Sequence, residues 1–138
     1  MKRYEIIDHT ADIGIKAYGK DLEELFGNAA YGMFDIAADL EGLKPSTSVK
    51  IKLEAPNYEE LLINWLDELI YNFYTKGIIF SEFKIDKLDS QHIEAEAHGQ
   101  HIGDNRSRLK TEIKAATFHE LKIKESKEGY EVQIIFDI

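Results

Sequence analysis

Three short stretches carry the side chains that could do chemistry. Asp8-His9-Thr10-Ala11-Asp12-Ile13-Gly14-Ile15 crowds carboxylates and an imidazole into a connection between apolar runs. Glu112-Ile113-Lys114-Ala115-Ala116-Thr117-Phe118-His119 lies inside the most basic part of the chain. The third is the closing run Val132-Gln133-Ile134-Ile135-Phe136-Asp137-Ile138. Its alternation puts Val132, Ile134, Phe136 and Ile138 on one face of a strand, with Gln133, Ile135 and Asp137 on the other. Chain ends are usually polar and frayed. An end apolar to its last residue predicts a strand held in its sheet throughout, with the α-carboxylate fixed beside Asp137. Neighbouring carboxylates repel unless a cation sits between them. If Asp12 approaches, three hard oxygen donors meet, and that set suits Ca²⁺, Mg²⁺ or Mn²⁺ rather than zinc. Spacing alone does not bring Asp12 to Asp137. Plainer readings stand beside these: Asp and Thr bonding turn amides in the first stretch, and an edge strand with a solvated lysine in the second.

Other chemistries find little support. The chain has no cysteine, which excludes disulfides, thiolate metal sites and cysteine nucleophiles, and which is compatible with a reducing compartment. Neither GxGxxG nor a Walker A loop occurs, and no serine sits in a nucleophile elbow. Asp104–Glu112 lacks the oxygen ligands and central glycine of a calcium loop. His98 and His101 give only an HxxH spacing, a weak metal signal. The net charge of −9 argues against general nucleic-acid binding, because phosphate attraction dominates it. The charge is uneven, however. Residues 106–127 hold Arg106, Arg108, Lys110, Lys114, Lys122, Lys124 and Lys127 against only Glu112, Glu120 and Glu125, a local basic surface for a partner of opposite sign. No long apolar run is present, so no membrane span or secretory signal is expected.

These residues need a scaffold, and 138 residues suffice for one domain over 1–138. Asp21 with Glu24 forms a capping-box signal. Leu22, Leu25, Phe26, Ala29, Met33, Ile36, Ala37 and Leu40 then recur at helical spacing, up to Gly42 and Pro45. A second helix opens after Pro56-Asn57 and carries Leu61, Leu62, Trp65, Leu66, Leu69, Ile70, Phe73 and Tyr74 until Lys76-Gly77. The rest reads as strands: Tyr4–Asp8, Ile13–Tyr18, Ser48–Ala55, a hairpin of Ile78–Leu88 and Gln91–His101, and a hairpin of Thr117–Glu125 and Tyr130–Ile138. Residues 102–112 read as a mobile loop. The order ββαβαββββ predicts an α+β domain, a mainly antiparallel sheet with both helices packed on one face.

Taken together, four of these segments resemble the archease family: Asp8-His9-Thr10-Ala11-Asp12-Ile13-Gly14, Trp65-Leu66-Asp67-Glu68-Leu69, Glu112–His119 and Ile135-Phe136-Asp137-Ile138. Ala116 and Phe118 stand where the family often shows Val or Ile and Tyr. The resemblance implies a small cytoplasmic protein with no catalytic residues of its own. It implies an activator of the GTP-dependent RNA ligase that joins tRNA halves, promoting guanylylation of the ligase histidine and repeated turnover. It carries a divalent-metal site onto Asp12, Asp137 and the backbone of Ile138, with Lys114 as a contact to ligase or nucleotide and His9, Asp8 and His119 as lesser contacts. Association with tRNA halves would be indirect.

The expected mechanism has the acidic tip enter the ligase active site and organise a divalent ion near the nucleotide phosphates. Two other functions compete. One is a general chaperone or modulator of nucleic-acid-processing enzymes. The other is a metal-dependent phosphoester hydrolase using His9 or His119 as base, which lacks an evident nucleophile or phosphate loop.

Overall fold

The computed structural model describes residues 2–9 and 12–138, apart from the side chains of Asp8 and His9. The elements run β1 (Tyr4–His9), β2 (Asp12–Gly19), α1 (Leu22–Ala37), β3 (Thr47–Glu54), α2 (Tyr58–Lys76), β4 (Ile78–Leu88) and β5 (His92–His101). A 3-10 turn (Gly103–Arg108) follows, then β6 (Ala115–Ala116), β7 (Ile123–Ser126) and β8 (Gly129–Asp137).

Both helices start where their caps dictate. Asp21 Oδ1 accepts the Glu24 amide at 2.8 Å, and the Glu24 carboxylate accepts the Lys20 amide at 3.2 Å. Asn57 Oδ1 accepts the Glu60 amide at 2.9 Å. Gly77 closes α2 in the left-handed region, with φ 64°, its amide bonded to the Phe73 carbonyl. Helix α1 stops earlier than its apolar period, at Ala37. Ala38 is extended and bridges Leu109, and Lys110 donates its amide to the Ala37 carbonyl at 2.8 Å. A tertiary partner thus ends this helix, not Gly42. The same contacts correct the expectation of a mobile 102–112 loop. Arg108 donates to the carbonyls of Asp39 at 2.9 Å and Glu41 at 2.6 Å, which ties the 3-10 turn to the end of α1.

The fold is α+β and its strand pairs are antiparallel, with the strands divided between two sheets. One holds β3-β5-β4. In the other, β1 and β2 lie along one edge of β8, while β7 and then β6 share its opposite edge. Helix α1 contacts both sheets. Gly32 packs on the first-strand side, where a Cβ would lie 2.8 Å from the Tyr4 ring. Phe34 turns the other way, 5.5 Å from the Phe80 ring and 6.0 Å from Phe83 of β4. Helix α2 completes the core through Trp65, which is fully buried and donates Nε1–H to the Phe26 carbonyl at 3.0 Å. Burying each such large side chain contributes about 1.5–3 kcal/mol. The hairpin of Thr117–Glu125 shortens to Ile123–Ser126, because a turn, closed by the Leu121 amide on the Phe118 carbonyl at 3.0 Å, interrupts the strand. Among the described residues no helix is long and apolar enough to cross a membrane.

Candidate functional site

The register of β2 on β8 pairs Ile13 with Phe136 and Gly14 with Ile135. Continued by one residue, it sets Asp12, the first residue of β2, across from Asp137, the last of β8. Alternation fixes which face they share. Ile134 and Phe136 belong to the core, whereas Ile135 lies on the far face, where a Cβ on Gly14 would come within 2.8 Å of its Cδ1. Asp12 and Asp137 sit two residues from that pair and therefore share this outer face. Directly opposed side chains have Cβ atoms about 4.5–5.5 Å apart, close enough for two carboxylates to hold one ion. Asp12 is half-buried, and Asp137 and Ile138 are exposed.

The third strand at this end is β6. Ala115 pairs with Asp137 on the side away from Asp12, and Lys114 donates its amide to the Asp137 carbonyl at 2.8 Å. Thr117 adds two bonds to the Ile135 carbonyl, from its amide at 3.0 Å and its hydroxyl at 2.8 Å. Strand β6 is an edge, so its outward amides need another acceptor. Asp67 of α2 supplies it, with Oδ1 2.8 Å from the Ala116 amide. Burial pushes the Asp67 carboxyl up, and the Ala116 bond partly offsets that shift. Tyr74, about two helical turns further on along the same face, donates its hydroxyl to the Ile113 carbonyl at 3.1 Å. Residues 109–117 therefore form a strap from the end of α1, across α2, to the end of β8.

The expected site residues separate accordingly. Asp12, Asp137, Ile138 and Lys114 come together at one end of the sheet. The backbone of His9 pairs with Asp12 and that of Asp8 with Ile13, but both side chains lie outside the described residues. His119 is exposed and sits beside Glu120, 3.8 Å away. Glu120 in turn meets Gln133 of β8 at 3.4 Å, four residues back along the strand from Asp137. His98 and His101 fall on opposite faces of β5, three residues apart on a strand. The basic stretch is also dispersed. Arg108 is spent on carbonyls, Lys110 and Lys114 lie on the strap, and Lys122 and Lys124 line a cleft of about 230 Å³ with Lys16 and Glu131. Sequence reasoning passed over Asp67 as a site residue. Its segment reads as helix and as one of those shared with the archease family, and nothing local announces an acceptor for a strand some fifty residues later.

Helices embraced by two antiparallel sheets, with an acidic pair at one end, define a small α+β protein. The chain belongs to the Archease protein family, which it matches over residues 4–138. It is 40% identical to the protein archease of Methanosarcina barkeri, over 99% of this chain and 97% of that one. It is 33% identical to that of Sulfurisphaera tokodaii, with both chains fully covered. The solution structure of a Methanobacterium thermoautotrophicum protein superposes with a TM-score of 0.81 at 37% identity, covering 100% of both chains. A Thermotoga maritima crystal structure, described as an archease and possible chaperone, shares the fold with a TM-score of 0.65 at 24% identity, over 96% of this chain and 94% of that one.

Proposed function

We propose that this protein is a non-catalytic cofactor of the GTP-dependent tRNA-splicing RNA ligase, promoting ligase guanylylation and repeated turnover through a divalent-ion-binding acidic tip. The observation that carries the reading is the cross-strand opposition of Asp12 and Asp137 on one outer face, in a chain of the archease family.

The donor set fits a hard ion. It comprises two carboxylates and the main-chain oxygen of Ile138, with no sulfur. Among the described residues no three His, Cys, Asp or Glu side chains cluster. When bound, a divalent ion supplies charge neutralisation and Lewis acidity toward nucleotide phosphate. The chain's own residues do the rest. Asp12 and Asp137 present paired negative charge at the sheet end, while Ala115, directly beside Asp137, leaves the approach unobstructed by a long side chain. Lys114 joins the same sheet end through its main chain, and its exposed ammonium is available to a phosphate or an acidic ligase side chain.

The test is ligase guanylylation with purified components. Asp12→Ala and Asp137→Ala, each folded, should abolish stimulation; full stimulation by either removes the tip from the mechanism. A general chaperone role, the wording attached to the Thermotoga relative, predicts instead that both variants still suppress ligase aggregation and that chelation has no effect.

A further inference from the structure

We propose that Asp67 is the positioning residue of the tip: its bond to the Ala116 amide holds strand β6 in register on β8, and so fixes Lys114 beside Asp137. The inference rests on the proposed role of the tip, and it concerns a side chain on a different element, half-buried beneath the strap.

Strand β6 has only two residues, Ala115 and Ala116. So short an edge strand cannot hold its own register through main-chain bonds alone. It is secured from both sides. Toward β8, the Lys114 amide bonds the Asp137 carbonyl and Thr117 bonds Ile135. Away from β8, the Ala116 amide points to Asp67 Oδ1 at 2.8 Å. Ala116 itself is buried, so water cannot readily replace that acceptor. Helix α2 is a rigid platform here, since Leu66 and Leu69 flanking Asp67 are fully buried. A carboxylate projecting from it sets the distance between helix and strap, and with it the main-chain bond from Lys114 to the Asp137 carbonyl. That bond carries the effect to a residue of the tip, and outer partners of metal ligands typically cost about 10–100-fold in metal affinity when removed.

Asp67→Asn keeps the Oδ1 acceptor and Asp67→Ala loses it. Ile51→Ala, in the three-stranded sheet remote from the tip, serves as a destabilised control. Amide hydrogen exchange decides the positioning claim by itself. Exchange at Lys114 and Thr117 should accelerate by about tenfold or more in Asp67→Ala, and remain near wild type in Asp67→Asn and Ile51→Ala. Unchanged protection in Asp67→Ala, or equal acceleration in Ile51→Ala, overturns the proposal. A Mn²⁺ titration of the same proteins reads the consequence. Affinity about tenfold weaker in Asp67→Ala but preserved in the other two supports it, and equal weakening in Ile51→Ala overturns it. If the wild type binds no Mn²⁺ while the exchange pattern holds, Asp67 still positions the strap and the metal role of the tip fails alone.

Discussion

The amide nitrogen of Lys114 lies 2.8 Å from the carbonyl oxygen of Asp137. The contact is between main chains, so the exposed Lys114 side chain contributes nothing to it. Structure and function therefore separate at this residue. Lys114→Ala should fold normally, with unfolding free energy within about 0.5 kcal/mol of wild type in urea. Ligase guanylylation should nonetheless fall at least several-fold. Full stimulation by the variant would confine Lys114 to its backbone role.

Asp67 gives a pH signature. Burial raises its carboxyl above the ordinary 3.8, against the opposing pull of the Ala116 amide. Between the unfolded and the folded values the native state holds more protons than the unfolded chain. Stability from this group is therefore full below about 3.8 and is lost as pH rises through the folded value. Asp67→Asn cannot titrate and keeps the acceptor. It should gain stability over wild type as pH climbs from 4 toward 7, read as the difference between the two urea midpoints. A constant difference across that range would contradict the assignment.

Trp65 joins α2 to α1 through the Phe26 carbonyl, at no exposure to solvent. Trp65→Phe removes the donor and part of the ring, and should cost about 2–4 kcal/mol in urea denaturation followed by circular dichroism. A loss below about 0.5 kcal/mol would mean that the site repacks without it.

Gly99 of β5 faces a close approach from β4, where a Cβ would lie 2.0 Å from the Ile79 carbonyl oxygen. That atom is backbone next to a register shift between Phe80 and Glu82, so it has little room to yield. Gly99→Ala should destabilise by about 3 kcal/mol or prevent folding. Gly14→Ala meets only the tip of the Ile135 side chain and should cost far less. Comparable melting temperatures for the two variants would refute this.

Much of the scaffold was legible because its signals are local. Asp21 with Glu24, Asn57 and Gly77 each mark a helix end through their own side chain or backbone freedom. The alternation in Ser48–Ala55 and in the last seven residues encoded both strand and face. What stayed hidden depends on partners distant in sequence. Ala38 leaves α1 because Leu109 bridges it, and no pattern within residues 22–40 contains Leu109. Division into two sheets is equally invisible, since alternation shows that a strand has two faces but not which strand lies beside it. The opposition of Asp12 and Asp137 follows from a register that the sequence states only as two acidic residues 125 positions apart. Asp67 was obscured for the same reason: its acceptor role exists only once the strap crosses α2.

The most direct measurement is a calorimetric titration of Mn²⁺ into wild type, Asp12→Asn and Asp137→Asn. One saturable site is expected in wild type, weakened at least about tenfold in each variant, with metal-free melting temperatures unchanged. No saturable binding by wild type, or wild-type affinity in either variant, would contradict it.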